Sequence, residues 1–128
     1  MKYEGKILLV DDEAHVRKFI GLVLKQLGAT VLLEASNGRE AVEVFKRESP
    51  NLVLLDVNMP IQDGIQTLRE LRQLSTDCVI VMLTSLANRQ TVEEALSLGA
   101  DNYIRKDTPK DEILAALKQT IADNFPAE

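Results

Sequence analysis

Three short runs in this chain carry no polar side chain at all: Ile7-Leu-Leu-Val10, Leu52-Val-Leu-Leu55 and Val79-Ile-Val-Met-Leu83. A strand with one wet face alternates apolar and polar residues, so an unbroken apolar run belongs to a strand covered on both faces. That situation is found in the centre of a parallel sheet. Each parallel pairing needs a crossover of a dozen or more residues, most simply a helix. The chain supplies one after every strand.

After Lys6 to Val10, the residues Val16, Phe19, Ile20, Val23, Leu24 and Leu27 recur at offsets of three and four, marking one face of a helix that ends at Gly28. Val31 to Ala35 reads as a second strand, and Gly38 to Glu48 as a helix with Ala41, Val44 and Phe45 inward and Ser49-Pro50 as its stop. Leu52 to Leu55 is the third strand, and Gly64 to Leu74 a helix through Ile65, Leu68 and Leu71. Val79 to Leu83 is the fourth strand, followed by a helix from Asn88 to Leu98 with Val92, Ala95 and Leu96 inward and Gly99 closing it. Asn102 to Arg105 is the fifth strand. Thr108 is placed to cap the last helix, with Pro109 at its first position, Asp111 in its first turn and Ile113, Leu117 and Ile121 on its apolar face.

Five strands alternating with five helices predict an α/β fold, a parallel sheet with helices on both faces. The all-apolar first, third and fourth strands belong in its middle. The second, ending in Glu34-Ala35, and the fifth, with Asn102 and Arg105, belong at its edges. This is the doubly wound, flavodoxin-like order 2-1-3-4-5. At 128 residues, with no linker or repeat, residues 1–128 read as a single domain.

The formal net charge of −5, with its basic residues dispersed, argues against a nucleic-acid or anionic-membrane partner. No window resembles a membrane span or a secretory signal, so a cytoplasmic location is expected. Cys78, the one cysteine, reads as a small buried hydrophobe.

In an open parallel sheet, the carboxyl ends of the strands share a crevice where the strand order reverses. Asp11 and Asp12 close the first strand, Asp56 the third, Thr84 the fourth and Lys106 the fifth, so all five fall on one rim. Two carboxylates about 5 Å apart repel by roughly 3 kcal/mol at an effective dielectric near 20. Lys106 offsets part of this, and a hard dication with oxygen ligands would offset the rest. With one Cys and one His in the chain, Mg²⁺ suits the donors better than Zn²⁺, and His15 reads as a solvated helix residue. A carboxylate beside Mg²⁺ can attack phosphorus, with Lys106 and Thr84 holding the remaining oxygens. These residues predict a phosphoryl-accepting site.

Over essentially its whole length the chain resembles a receiver domain of a two-component response regulator, of the chemotaxis-regulator type. The resemblance rests on Val10-Asp11-Asp12, Asp56-Val-Asn-Met-Pro-Ile-Gln-Asp-Gly64, Thr84-Ser85 and Tyr103-Ile-Arg-Lys106, in that order. It implies Asp56 as phosphoacceptor, Asp12 as a direct Mg²⁺ ligand, Asp11 as a second acid acting through water, and the backbone carbonyl of Asn58 completing the metal site. It also implies that Tyr103 turns inward when Thr84 moves toward the phosphoryl group. The surface of the fourth helix, fifth strand and fifth helix would then change its affinity for a downstream protein target. The expected donor is a sensor histidine kinase or a phosphotransfer protein.

Two positions depart from the family pattern. Lys106 is followed by Asp107, with proline postponed to 109, so a trans bond is expected after Lys106. Leu86 stands where chemotaxis-type members carry a polar residue, and is expected to slow dephosphorylation by excluding water. Two other classes compete with this reading. A haloacid-dehalogenase-type phosphatase also uses an Asp nucleophile and Mg²⁺, but needs an acid two residues on, where this chain has Asn58. A flavin-binding module would need a phosphate-cradling first loop, which Asp11-Asp12-Glu13 opposes. The chain therefore reads as a signalling switch, catalysing only its own phosphorylation and slow dephosphorylation, rather than a metabolic enzyme.

Overall fold

A computed structural model describes residues 5–85 and 88–125. The elements run β1 (Lys6–Val10), α1 (Ala14–Gln26), β2 (Val31–Ala35), α2 (Gly38–Glu48), β3 (Leu52–Leu55), α3 (Gly64–Leu74), β4 (Val79–Thr84), α4 (Arg89–Ser97), β5 (Asn102–Arg105) and α5 (Lys110–Asn124). All four strand pairings are parallel and the order is β2-β1-β3-β4-β5, as the distribution of apolar runs requires.

The core lies in two layers, because successive side chains of a strand point to opposite faces. Ile7 and Leu9 pack with Ile20, Val23 and Leu24 of α1 and Ile113, Leu117 and Ile121 of α5. Leu8 and Val10 pack with Ala41, Val44 and Phe45 of α2 and Leu68 and Leu71 of α3. Each fully buried Leu or Ile contributes about 1.5–3 kcal/mol. These layers hold the central strands rigidly enough to fix whatever stands at their ends.

Strand register then builds the rim. Val10 lies beside both Ala35 and Leu55, Leu55 beside Met82, and Thr84 beside Arg105. The ladder continues one bond past the strands: the Asp11 amide donates to the Ala35 carbonyl at 3.1 Å, Asp56 to Val10 at 3.0 Å and Lys106 to Thr84 at 3.0 Å. Asp11, Asp56 and Lys106 are thus held by sheet hydrogen bonds, not by free loops.

Several expectations need correction. Thr108 does not cap α5. Its amide donates to the Arg105 carbonyl at 3.1 Å in a tight turn, so the helix begins one residue later, with Pro109 as its N-cap and no side-chain cap. Pro109 lies just outside the helix, and its carbonyl accepts from Glu112 and Ile113. Asn88 is the N-cap of α4 rather than its first residue, accepting from the Thr91 amide at 2.8 Å. Leu96 and Phe19 are exposed, although their spacing placed them inward. Of the residues in α4, only Ala95 is buried, so this helix is held more lightly than its neighbours. β4 runs one residue further than its apolar run, through Thr84. Among the described residues no peptide bond is cis, including the bond after Lys106. Leu86, expected to exclude water, lies outside the described residues.

Candidate phosphoryl-accepting site

β1 delivers Asp11, with 1% of its surface exposed, into the crevice. One of its carboxylate oxygens, Oδ1, accepts the Glu13 amide at 2.8 Å and closes the turn into α1. The other, Oδ2, meets Lys106 Nζ at 2.6 Å. Asp12 is exposed at the mouth. Neither acid caps α1, whose N-cap is Glu13 and carries no side-chain cap.

β3 delivers Asp56, also 1% exposed. Its Oδ1 accepts the Val57 amide at 2.8 Å, and its Oδ2 accepts from Lys106 Nζ at 3.0 Å. Thr84, fully buried at the end of β4, hydrogen-bonds to the same carboxylate. Lys106 leaves the end of β5 and its ammonium bridges Asp11 and Asp56, its side chain only 13% exposed, and Glu13 approaches it at 3.5 Å. Asp11, Asp12 and Asp56 each offer a carboxylate oxygen within 4.8 Å of the others. Five expected residues are therefore brought together. Asn58 lies exposed two residues past Asp56, in the loop that leaves the rim.

The electrostatics reflect burial and charge. Burial pushes the Asp56 carboxyl above its ordinary value, the Asp11 charge adds to this, and Lys106 and Thr84 oppose it. Burial alone would lower the Lys106 ammonium, but Asp11 and Asp56 outweigh it and hold the group above its usual value. Tyr103 is half-buried on β5, and burial together with the Asp56 charge raises its phenol. The Tyr103 hydroxyl is buried with no hydrogen-bond partner among the described residues.

Sequence reasoning missed two supports. Glu13 reaches Lys106, and only its place beside two acids hinted at that. Arg17, one turn into α1, donates from Nη1 to the Asp11 carbonyl at 2.5 Å and from Nε to Glu34 at 3.0 Å, clamping the β1–α1 turn to β2. Gly64 opens α3 directly against the end of β3: a Cβ there would stand 1.9 Å from the Asp56 carbonyl oxygen. The loop before it holds Ile61, 74% exposed with φ at 70°, a left-handed conformation that β-branched residues avoid.

A buried acid at a strand end, bridged by a lysine just past β5 and touched by a buried threonine, sits within a chain whose residues 7–118 match the response regulator receiver domain. The chain belongs to that family. It is 38% identical over 116 residues to the chemotaxis protein CheY of Bacillus subtilis, covering 91% of this chain and 97% of that one. It is 42% identical over 116 residues to the probable transcriptional regulator ycf27 of Porphyridium aerugineum, again over 91% of this chain but spanning about half, 48%, of that relative. Among solved structures, a CheX–CheY–BeF3–Mg²⁺ complex from Borrelia burgdorferi contains a chain similar to this one, with TM-score 0.85 and 27% identity over 95% of this chain and 90% of that one.

Receiver domains are signalling domains that work by phosphorylation in two-component systems, and they bind Mg²⁺ at an acidic pocket. They interact with kinases and downstream targets. Among the described residues no helix is long and apolar enough to cross a membrane.

Proposed function

We propose that residues 1–128 act as one receiver unit that accepts a phosphoryl group on Asp56, from a sensor histidine kinase or phosphotransfer protein, in a Mg²⁺-dependent reaction. The observation that carries this reading is the single ammonium of Lys106, at 3.0 Å from Asp56 and 2.6 Å from Asp11. Two buried carboxylates sharing one cation leave a net negative charge that a divalent ion would neutralise.

The donors fit Mg²⁺: they are hard oxygens from Asp11, Asp12 and Asp56, close together and partly open to water, with the Asn58 carbonyl as a further ligand. When bound, the ion supplies charge neutralisation for the transferring oxygens. The chain's own groups do the rest. An Asp56 oxygen forms a bond to phosphorus as the P–N bond of a phosphohistidine breaks, and that electron pair leaves on the imidazole nitrogen. Burial strips water from Asp56, which favours an attack that spreads its charge. Lys106 and the Thr84 hydroxyl then hold phosphoryl oxygens, which draws Thr84 from its present place on Asp56. Asn58 stands where a dehalogenase-type phosphatase needs a general acid, so the acyl phosphate persists rather than turning over.

The half-buried Tyr103 ring follows Thr84, and its hydroxyl, without a hydrogen-bond partner among the described residues, does not hold it in its present rotamer. This alters the α4, β5 and α5 surface and its affinity for a protein target. The lightly held α4 suits that role.

The test is intact mass after incubation with acetyl phosphate. One added phosphoryl group is expected with Mg²⁺, none with chelator, and none for Asp56→Asn. Labelling of Asp56→Asn, or none of the wild type with Mg²⁺, contradicts the reading.

A further inference from the structure

Lys106 has a third anionic neighbour for which the phosphoacceptor reading has no use. Glu13 Oε1 stands 3.5 Å from Lys106 Nζ. The ammonium has three carboxylates within ion-pair distance, Asp11 at 2.6 Å, Asp56 at 3.0 Å and Glu13 at 3.5 Å, so its charge is shared among them. Asp11 belongs with the metal, and Asp56 becomes an acyl phosphate. Glu13 alone would stay an unaltered competitor throughout the cycle.

Its backbone is held in place for this. The Glu13 amide is tied to Asp11 Oδ1 at 2.8 Å, and its carbonyl accepts from Val16 and Arg17, both at 3.1 Å. As N-cap of α1 it makes no side-chain capping bond, so the carboxylate is available to the rim. That side chain is 48% exposed against 13% for Lys106, so it reaches inward from the open mouth of the site. His15, 80% exposed, is the other basic group that faces it, with Nε2 at 3.6 Å from Oε2.

We propose that Glu13 is a positioning residue that competes with the phosphoryl group for the Lys106 ammonium, and so sets how firmly the site holds phosphate. The proposal rests on Asp56 being the acceptor. An ion pair this exposed shifts an equilibrium by a factor of about two to five. Removing it should therefore tighten binding of a phosphoryl mimic, and impaired folding does not do that.

The test uses the intact chain, Mg²⁺ and fluoroberyllate, with binding followed by amide chemical shifts. Glu13→Gln should bind fluoroberyllate about two- to fivefold more tightly than wild type, with an unchanged thermal midpoint before ligand and a longer phosphoryl lifetime after acetyl phosphate. Glu13→Asp keeps the charge but falls short of Lys106, and should resemble Glu13→Gln. Equal or weaker binding by Glu13→Gln overturns the proposal, as does a Glu13→Asp that behaves like wild type. If the wild type itself neither binds fluoroberyllate nor takes a label, the acceptor reading fails and takes this one with it. A wild type that binds and labels while the variants match it defeats only the role of Glu13.

Discussion

The two ends of the same sheet treat buried charge in opposite ways. At the carboxyl rim, Asp11 and Asp56, each 1% exposed, share the ammonium of Lys106, and two further acids stand at the mouth. At the amino end, one guanidinium is fully served. Arg72 donates to the Gly99 carbonyl from Nε at 2.9 Å and Nη2 at 2.7 Å, to the Cys78 carbonyl from Nη1 at 2.5 Å, and to Asp101 at 2.8 Å. The same Asp101 oxygen accepts the Ile80 amide at 2.9 Å. This knot ties the end of α3, the start of β4 and the turn between α4 and β5. One end of the sheet is built to stay and the other to change. A satisfied ion pair anchors, whereas acids in excess over cations invite a ligand to complete them.

The largest effect should come from undoing the anchor. Arg72→Ala leaves the Asp101 carboxylate and several carbonyls without their donor, and should destabilise by about 3–5 kcal/mol in urea unfolding. The folded fraction should still label at Asp56. A loss under about 1 kcal/mol would erase the contrast between the two ends.

Gly64→Ala attacks the rim through its backbone. The added Cβ meets the Asp56 carbonyl oxygen and the Val57 Cα, neither of which is a flexible side-chain end. A destabilisation of about 3 kcal/mol or more is expected, with reduced labelling even of folded protein.

Asp56→Asn should do the reverse and stabilise by about 1–2 kcal/mol at neutral pH, by relieving an acid that is desolvated beside Asp11. The same desolvation fixes the sign of the pH dependence. The folded Asp56 carboxyl lies above its ordinary 3.8, so between 3.8 and that raised value the folded state holds the proton more tightly than the unfolded one. Stability attributable to Asp56 therefore falls as pH rises through this window and stays low above it. Denaturant midpoints across acidic pH should show a shallower fall in Asp56→Asn. Lys106 works at the other extreme. Its raised ammonium contributes stability that is present below 10.5 and is lost as pH rises through the folded value.

The smallest effect belongs to Ile61, strained at φ 70° on the loop beside the rim. Ile61→Gly should gain about 1 kcal/mol by relieving the left-handed backbone, partly offset by entropy of the unfolded chain. A loss would mean that the side chain makes contacts worth more than the strain.

The sheet and most of the rim were legible because burial on two faces leaves unbroken apolar runs, and parallel topology gathers the residues just beyond those runs on one edge. Asp11, Asp56, Thr84 and Lys106 were found on that logic alone. The Arg72 knot was not legible, since its acceptors are mostly backbone carbonyls, which leave no residue pattern. Gly99 and Asp101 were its only traces. Phe19 and Leu96 were misplaced because periodicity gives the apolar face but not how much of it a neighbour covers. The capping role assigned to Thr108 failed because a turn from Arg105 to Thr108 consumes its backbone.

The most direct test of the rim as an incomplete ion site is the thermal midpoint, measured for the wild type and Asp56→Asn in buffer, with Mg²⁺, and with Mg²⁺ plus fluoroberyllate. The wild type should rise with the metal, because a ligand that binds only the folded state stabilises it, and rise again with fluoroberyllate. Asp56→Asn should start higher, gain less from the metal and gain nothing from fluoroberyllate. Equal gains in both proteins, or no response of the wild type to either ligand, would contradict the account.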